Sequence, residues 1–240
     1  DFFRVVVRRV LGVIAKLEHG CGRICGPQRC PPLWADYSHP QLWTLLVMED
    51  NKIPRRLADG SAPMTAEALL DQLRSLGISV PTIEHPPMVT VKDSKAMRVT
   101  PGGAGDIKNL FVRNKKGQMW LITCQEDRQI DLKALATALG AGRFSFASHQ
   151  RLMLYLGVGP GAVSPLALIN DRQRSVTFVI DNALLACETI YLHPLDNTRT
   201  TTMTSCDLLD FIAQTGHPAR TIAFDSDGVH CDDPFSGEPR

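Results

Sequence analysis

Surplus charge, aromatic rings and long apolar runs are all scarce in this chain. Its 26 Lys and Arg against 25 Asp and Glu leave a formal charge of only +1. The whole molecule is therefore no polycation, and any nucleic-acid contact must come from a local patch. Phe, Trp and Tyr make up 6% of the residues, which excludes broad stacking platforms for single strands. No apolar run reaches the ~18 residues of a transmembrane helix, so no membrane partner is expected. The apolar opening from Phe2 to Leu17 is broken by Arg4, Arg8 and Arg9 and lacks an initiator Met, which fits a secretory signal poorly. Also missing are His-Glu-x-x-His, His-x-Glu with Pro-Cys-x-x-Cys, a P-loop and Gly-x-Ser-x-Gly. Zinc peptidases, zinc deaminases, P-loop NTPases and ordinary serine hydrolases lose weight accordingly. The cysteine count is odd, seven, with Cys124, Cys187, Cys206 and Cys231 widely scattered. That usage predicts free thiols in a reducing, cytoplasmic compartment.

What is present is enough for a packed core: 44% hydrophobic residues in 240, or one large domain or two small ones. The chain divides near Met64. Residues 1–63 hold Cys21, Cys25 and Cys30, the Pro31-Pro32 pair and little sustained period, and read as an irregular extension, non-native or disordered. Met64 or Met48 is the expected natural start. The three cysteines with His19 and His39 lack Cys-x2-Cys spacing and a second knuckle, so no metal site is assigned. Residues 225–240 carry five acids and one Arg among Gly and Pro and read as a disordered tail.

The middle, 64–224, is locally consistent. Thr65 caps a helix with Leu69, Leu70, Leu73 and Leu76 on one face and Gly77 as its stop. A strand follows at Thr82–His85, then a short helix between Thr90 and Arg98. Asn109–Asn114 and Gln118–Cys124 form a hairpin around Lys115-Lys116-Gly117. Asp131 opens a helix with Leu132, Leu135 and Leu139, and Ser148 opens one that stops at Gly157. Ala167–Asn170 and Val176–Asp181 read as a second hairpin. Thr189–Leu192 and Thr200–Thr204 bracket a polar loop, Ser205 caps a last helix, and Arg220–Phe224 is a final strand. The sum is an α+β domain with a mixed β-sheet.

Four places offer chemistry. Gly157-Val-Gly159-Pro-Gly161-Ala162-Val-Ser164-Pro165 is a loop whose main chain can approach a ligand closely; the same composition also suits a tight helix-to-strand connection. Ser164 has no partnered base that would make it a nucleophile. Lys108 stands where the Gly102–Gly105 loop meets a strand, as a phosphate contact or as a solvated strand-end charge. Arg113, Lys115 and Lys116 extend the basic character, as a wet edge or as a nucleic-acid patch. His193, before Pro194, is either a site group or a satisfied structural histidine, and His85 has the same two readings.

In this order the motifs resemble the YbaK-like, prolyl-tRNA synthetase-associated editing domains, in particular the freestanding deacylases of alanyl-tRNA(Pro). The stretches concerned are Glu84-His-Pro-Pro87, Lys108-Asn109-Leu-Phe-Val112 with Lys115-Lys-Gly117, Ile130-Asp-Leu-Lys133, Leu156–Pro165 with Leu168-Ile-Asn170, and His193-Pro-Leu-Asp-Asn197-Thr198 with Thr200-Thr-Thr202. The resemblance covers 64–224. It implies a barrel-like mixed sheet surrounded by helices and a hydrolytic pocket for the aminoacyl end of tRNA(Pro), without cofactor, metal or DNA. It further implies Lys108, Gly161 and His193 as catalytic groups, with Asn109, Gly159, Ala162, Pro165, Asn197 and Thr198 binding substrate. Prolyl-tRNA synthetase is an implied partner. Editors of Cys-, Ser- or Thr-charged tRNA, and a non-catalytic tRNA- or synthetase-binding module, are the alternatives. Asp106, Asp196 and Arg199 depart from the family pattern.

Overall fold

The computed structural model describes residues 56–87, 105–225 and 228–232. The cysteine cluster at Cys21–Cys30, most of the N-terminal extension, and the helix expected between Thr90 and Arg98 lie outside these residues.

Helix α1, Ala66–Ser75, starts where the Thr65 hydroxyl accepts from the Ala68 amide. Leu69, Leu70 and Leu73 are buried, but Leu76 is 40% exposed: it lies past the last turn and leaves the apolar stripe. Strand β1, Thr82–Glu84, follows. Strands β2, Ile107–Arg113, and β3, Met119–Gln125, form the expected hairpin in unbroken register, with Lys108 opposite Cys124 and Asn109 opposite Thr123. Helix α2, Leu132–Ala138, is capped by the Asp131 carboxylate. A two-residue strand β4, Ser145–Phe146, pairs with β2. Ser148 caps α3, His149–Arg151, which continues as a wider π-turn over Leu152–Leu156 and ends at Gly157.

The second hairpin does not form. Pro165–Asn170 is a 3₁₀ helix, begun by the Ser164 cap and by Pro165 with its preset φ. Strand β5, Val176–Asp181, pairs instead in parallel with β3. Its Val-Thr-Phe-Val-Ile run is buried on both faces, as a central parallel strand requires. Next come α4, Asn182–Leu185, β6, Ile190–Leu192, and β7, Arg199–Met203. Helix α5, Ser205–Gln214, is capped by Thr204 rather than Ser205. Strand β8, Arg220–Asp225, pairs in parallel with β5. Where a disordered tail is expected, Gly228–Asp232 forms strand β9 against β8.

The result is a mixed α+β domain with a six-stranded sheet, β4-β2-β3-β5-β8-β9, and a three-stranded one, β1-β7-β6. Each face of the large sheet has its own core. Phe111, Leu121, Phe178 and Ile180 join α1, the 3₁₀ helix and α5 on one face. Val112, Trp120, Ile122, Val179 and Ile222 pack with α2 on the other. Residues 56–63, assigned to the extension, touch the first layer: Leu57 is buried and the Ala58 amide donates to the Leu154 carbonyl at 2.7 Å. Among the described residues no helix is long and apolar enough to cross a membrane.

Candidate active site

The glycine loop is held from both sides. Gly157 has φ 67°, and a Cβ there would lie 2.6 Å from the Asn170 amide nitrogen and 2.8 Å from Pro63 Cβ. Conformation and space therefore both call for glycine. Asn170 donates to the Leu156 carbonyl at 2.9 Å and accepts from the Met64 amide at 2.9 Å, which fixes the loop entrance. At the exit Ser164 is fully buried, and its hydroxyl oxygen accepts from the Leu166 amide. That is a structural capping role. Pro165 is buried as the first residue of the 3₁₀ helix.

Between these ends Gly161 has φ 85°, and the Ala162 amide closes a turn onto the Gly159 carbonyl at 3.2 Å. The Ala162 N–H is thus engaged within the loop. A Cβ on Gly159 would meet nothing within 4 Å. Asn109 reaches the loop from the sheet. Its amide nitrogen donates to the Val163 carbonyl at 2.8 Å, and its oxygen accepts from the Thr123 hydroxyl at 2.7 Å. The Thr123 bond orients the amide so that its N–H faces the loop.

Lys108 does not meet the loop. Side chains alternate along a strand. Asn109 and Phe111 face the first core, so Lys108 lies with Leu110 and Val112 on the second face. Its amine donates to the Arg128 carbonyl. Arg128 pairs with the buried Asp181 at 3.0 Å and lies 4.8 Å over the Phe224 ring. A cleft of about 530 Å³ opens beside Arg128 and Asp181; neither Lys108 nor the glycine loop lines it. Cys124, opposite Lys108, has its thiol pushed up to about 12 by burial, so it stays protonated and unreactive at neutral pH.

His193 lies in the β6–β7 loop; Leu192, the last residue of β6, and Leu195 of the loop pack on the core that also holds Ala162 and Val163. Leu195 has φ 67°, an uncommon left-handed conformation for a branched residue. The His193 Nδ1 lies 2.8 Å from the Arg199 carbonyl. A carbonyl only accepts, so Nδ1 carries the proton and Nε2 of the neutral ring presents a lone pair. Burial holds this imidazole below its ordinary pKa, although the Arg199 carbonyl works the other way. His85 lies 6.0 Å away between ring centres. Its Nδ1 approaches the Pro86 carbonyl and its Nε2 the Thr200 hydroxyl, both at 2.9 Å. Thr198 donates amide and hydroxyl to the Asp196 carboxylate, and its carbonyl accepts from the His85 amide. Asn197 is half-buried in the same loop. Arg199, the departure noted in the sequence, bonds Glu67 at 2.6 Å and lies within 3.7 Å of Glu84 and Asp196, tying this loop to α1 and β1.

The Arg128–Asp181 pair, the Asn170 anchor and the buried Asp171–His217 contact at 3.1 Å are not legible in the sequence. Each joins residues far apart in the chain with no local pattern. Among the described residues no three His, Cys, Asp or Glu side chains are grouped to hold a metal ion.

Fold and candidate site together describe an α+β domain with a glycine loop braced by Asn109 and Asn170 and, in the β6–β7 loop, a neutral imidazole at His193. Residues 85–211 match the aminoacyl-tRNA editing domain, and the chain belongs to that family. Its class is the aminoacyl-tRNA deacylases, ester hydrolases of the kind its motifs led us to expect. It is 34% identical to the prolyl-tRNA editing protein ProX of Acetoanaerobium sticklandii over 157 residues, covering 65% of this chain and 95% of that one. It is 38% identical to prolyl-tRNA synthetase associated domain-containing protein 1 of Bos taurus, covering 66% of this chain and 94% of the relative. The crystal structure of the hypothetical protein APE2540 has the same fold, with TM-score 0.51 and 18% identity over 64% of this chain and 95% of that one.

Proposed function

We propose that this protein hydrolyses the ester of mischarged Ala-tRNA(Pro) in trans, releasing alanine and free tRNA. The observation that carries the reading is the Asn109–Val163 bond. It braces the glycine loop against the sheet, which supports a firm wall for a small pocket. The need follows from the limits of a single binding site. A pocket shaped for proline rejects a smaller side chain by only about 1–3 kcal/mol, so alanine leaks through. A second, rigid site that admits a methyl group and excludes a pyrrolidine ring corrects the error. The relatives, a prolyl-tRNA editing protein and a prolyl-tRNA synthetase associated domain-containing protein by name, support the same tRNA and point to the synthetase as a partner.

The aminoacyl ester is activated by its ammonium group and the vicinal ribose hydroxyl, so positioning and electrostatics suffice without a protein nucleophile. Water adds to the ester carbonyl, the acyl–oxygen bond breaks, and a proton passes to the departing ribose oxygen. The main chain of Gly159–Pro165 orients the ribose and the scissile bond. The Nε2 lone pair of His193 accepts a hydrogen bond from the water or the ammonium. Asn197 and Thr198 border the substrate. Lys108 contacts the terminal phosphate from the other face of the sheet, reaching round the edge of β2 that β4 covers only at Val112 and Arg113, its flexible stem exchanging the Arg128 carbonyl for a phosphate oxygen.

The test is deacylation of a panel of Ala-, Pro-, Cys-, Ser- and Thr-charged tRNAs by the purified chain. Release of alanine from Ala-tRNA(Pro), with Pro-tRNA(Pro) spared, is expected. Preferential hydrolysis of a Cys-, Ser- or Thr-charged tRNA would reassign the substrate, and inertness toward all five would reject the reading. Lys108→Ala is expected to lower kcat/KM at least tenfold with little change in Tm; an undiminished rate would remove Lys108 from the site.

A further inference from the structure

Charge is unevenly spread over this nearly neutral chain. No Asp or Glu occurs from Ile107 to Gln125, nor from Leu132 to Asn170. The fold brings the cations of these two stretches together. Arg113 ends β2 and is paired with Ser145 of β4, two residues after Arg143. Lys115 and Lys116 are exposed at the tip of the β2–β3 hairpin. Arg151, at the end of α3, reaches Met119, the cross-strand partner of Arg113. No ion pair joins any of these five cations to a carboxylate among the described residues, whereas Arg74, Arg128, Arg172 and Arg199 each have at least one.

The cluster is held in shape. Asn114 accepts from the Gln118 amide and donates to the Ala141 carbonyl, which locks the hairpin tip to the loop that carries Arg143. Phe144 packs edge-on against Trp120 at 4.9 Å and anchors the same loop. Two residues on, Phe146 is 48% exposed, one of few large apolar side chains left open among the described residues. Charges that merely protect a sheet edge would sit on the edge strand itself. Here the edge strand β4 carries none; it presents Ser145 and Phe146, and the cations surround it.

We propose that this rim binds the phosphate backbone of tRNA, with Phe146 packing on a sugar or an unstacked base. The assignment rests on the editing function proposed above and names the surface that function would use beyond the aminoacyl end. Arg113 and Asn109 share one face of β2 and are four residues apart, about 13 Å along the strand. Arg151 lies at the head of the turn that runs into the glycine loop. Phe111, between Asn109 and Arg113 on that face, is buried, so a backbone leaving the pocket must follow the edge of β2, where it reaches Arg113 and Arg151 before Lys115, Lys116 and Arg143. Fixed cations facing phosphates gain affinity by releasing counterions, and the number of phosphates engaged is read from the salt dependence.

The experiment measures binding of uncharged tRNA to the full chain across a salt series by fluorescence anisotropy. In parallel, deacylation is followed on alanyl-tRNA and on a short alanyl-adenosine ester. The variant K115Q/K116Q/R143Q is expected to weaken tRNA binding roughly tenfold and to lower the slope of log K against log salt by about 0.7–0.9 for each phosphate no longer neutralised. Its rate on the short ester should match that of the parent. Phe146→Ser should weaken binding without changing the salt slope. The variant R56Q/R74Q/R172Q, which removes three cations that are not part of the rim, serves as the net-charge control and should change neither. Parental affinity and salt slope in the K115Q/K116Q/R143Q variant would overturn the proposal, as would an equal effect from the control. Patch-dependent tRNA binding by a chain that deacylates nothing would uphold the surface while rejecting the proposed activity, so the two can fail separately.

Discussion

His193 shows how one side chain can set a pH response. Burial lowers its pKa in the folded chain, so the native state binds a proton less readily than the unfolded one. Where the unfolded state holds more protons, stability rises with pH. The contribution of this residue is therefore complete above the unfolded value of about 6.5 and is lost as pH falls below it toward the folded pKa. Urea midpoints measured at pH 7.5 and 5.5 are expected to drop at the lower pH, and His193→Asn should shrink that drop; an identical drop in the variant would remove His193 as its source. The same burial keeps Nε2 unprotonated at neutral pH, the form in which the ring accepts a hydrogen bond.

Among the elements, the π-turn and the glycine loop form one device. The α3 helix widens over Leu152–Leu156 and is stopped at Gly157, where the chain enters the left-handed region against Asn170. Gly157→Ala places a methyl group into the Asn170 and Pro63 side chains and forces a disfavoured φ, a cost of about 1–3 kcal/mol. Tm should fall by several degrees, with a larger proportional loss of deacylation because the loop entrance moves; a variant as stable and active as the parent would refute this account. These elements also mark how far the sequence can be read. The caps at Thr65, Asp131 and Ser148, the stop at Gly157 and the β2–β3 hairpin are legible because each signal is local. The Pro165–Asn170 helix reads as a strand in the sequence because a short apolar run carries no decisive period. The face occupied by Lys108 is hidden because motif order says which residues are near in sequence, not which side of the sheet each one takes.

At the level of the whole molecule the two sheets are joined by close backbone contact. The Gly105 carbonyl accepts from the Tyr191 amide, and a Cβ on Gly105 would fall 1.8 Å from the Thr189 carbonyl oxygen. This contact sets β6, and with it the His193 loop, beside the start of the strand that carries Asn109. Gly105→Ala must push main chain apart, so a loss of about 3 kcal/mol in unfolding free energy is expected. Chemical denaturation would check this, and parental stability would show that the contact is not tight. The two cores and the uneven spread of charge belong to this scale as well, and both emerge only when distant segments are brought together.

The strand order has a consequence for synthesis. β5 pairs Ile180 with Thr123 on one side and with Thr221 on the other. The middle of the sheet therefore cannot close until the chain has been made past Thr221. A nascent chain that stops short exposes the Val176–Asp181 strand with one flank open, a segment prone to clumping. Pairings this distant along the chain also slow the search for the native state. Folding in the cell should thus be a late, nearly all-or-none event, in which a ribosome-bound chaperone would find β5 before β8 does.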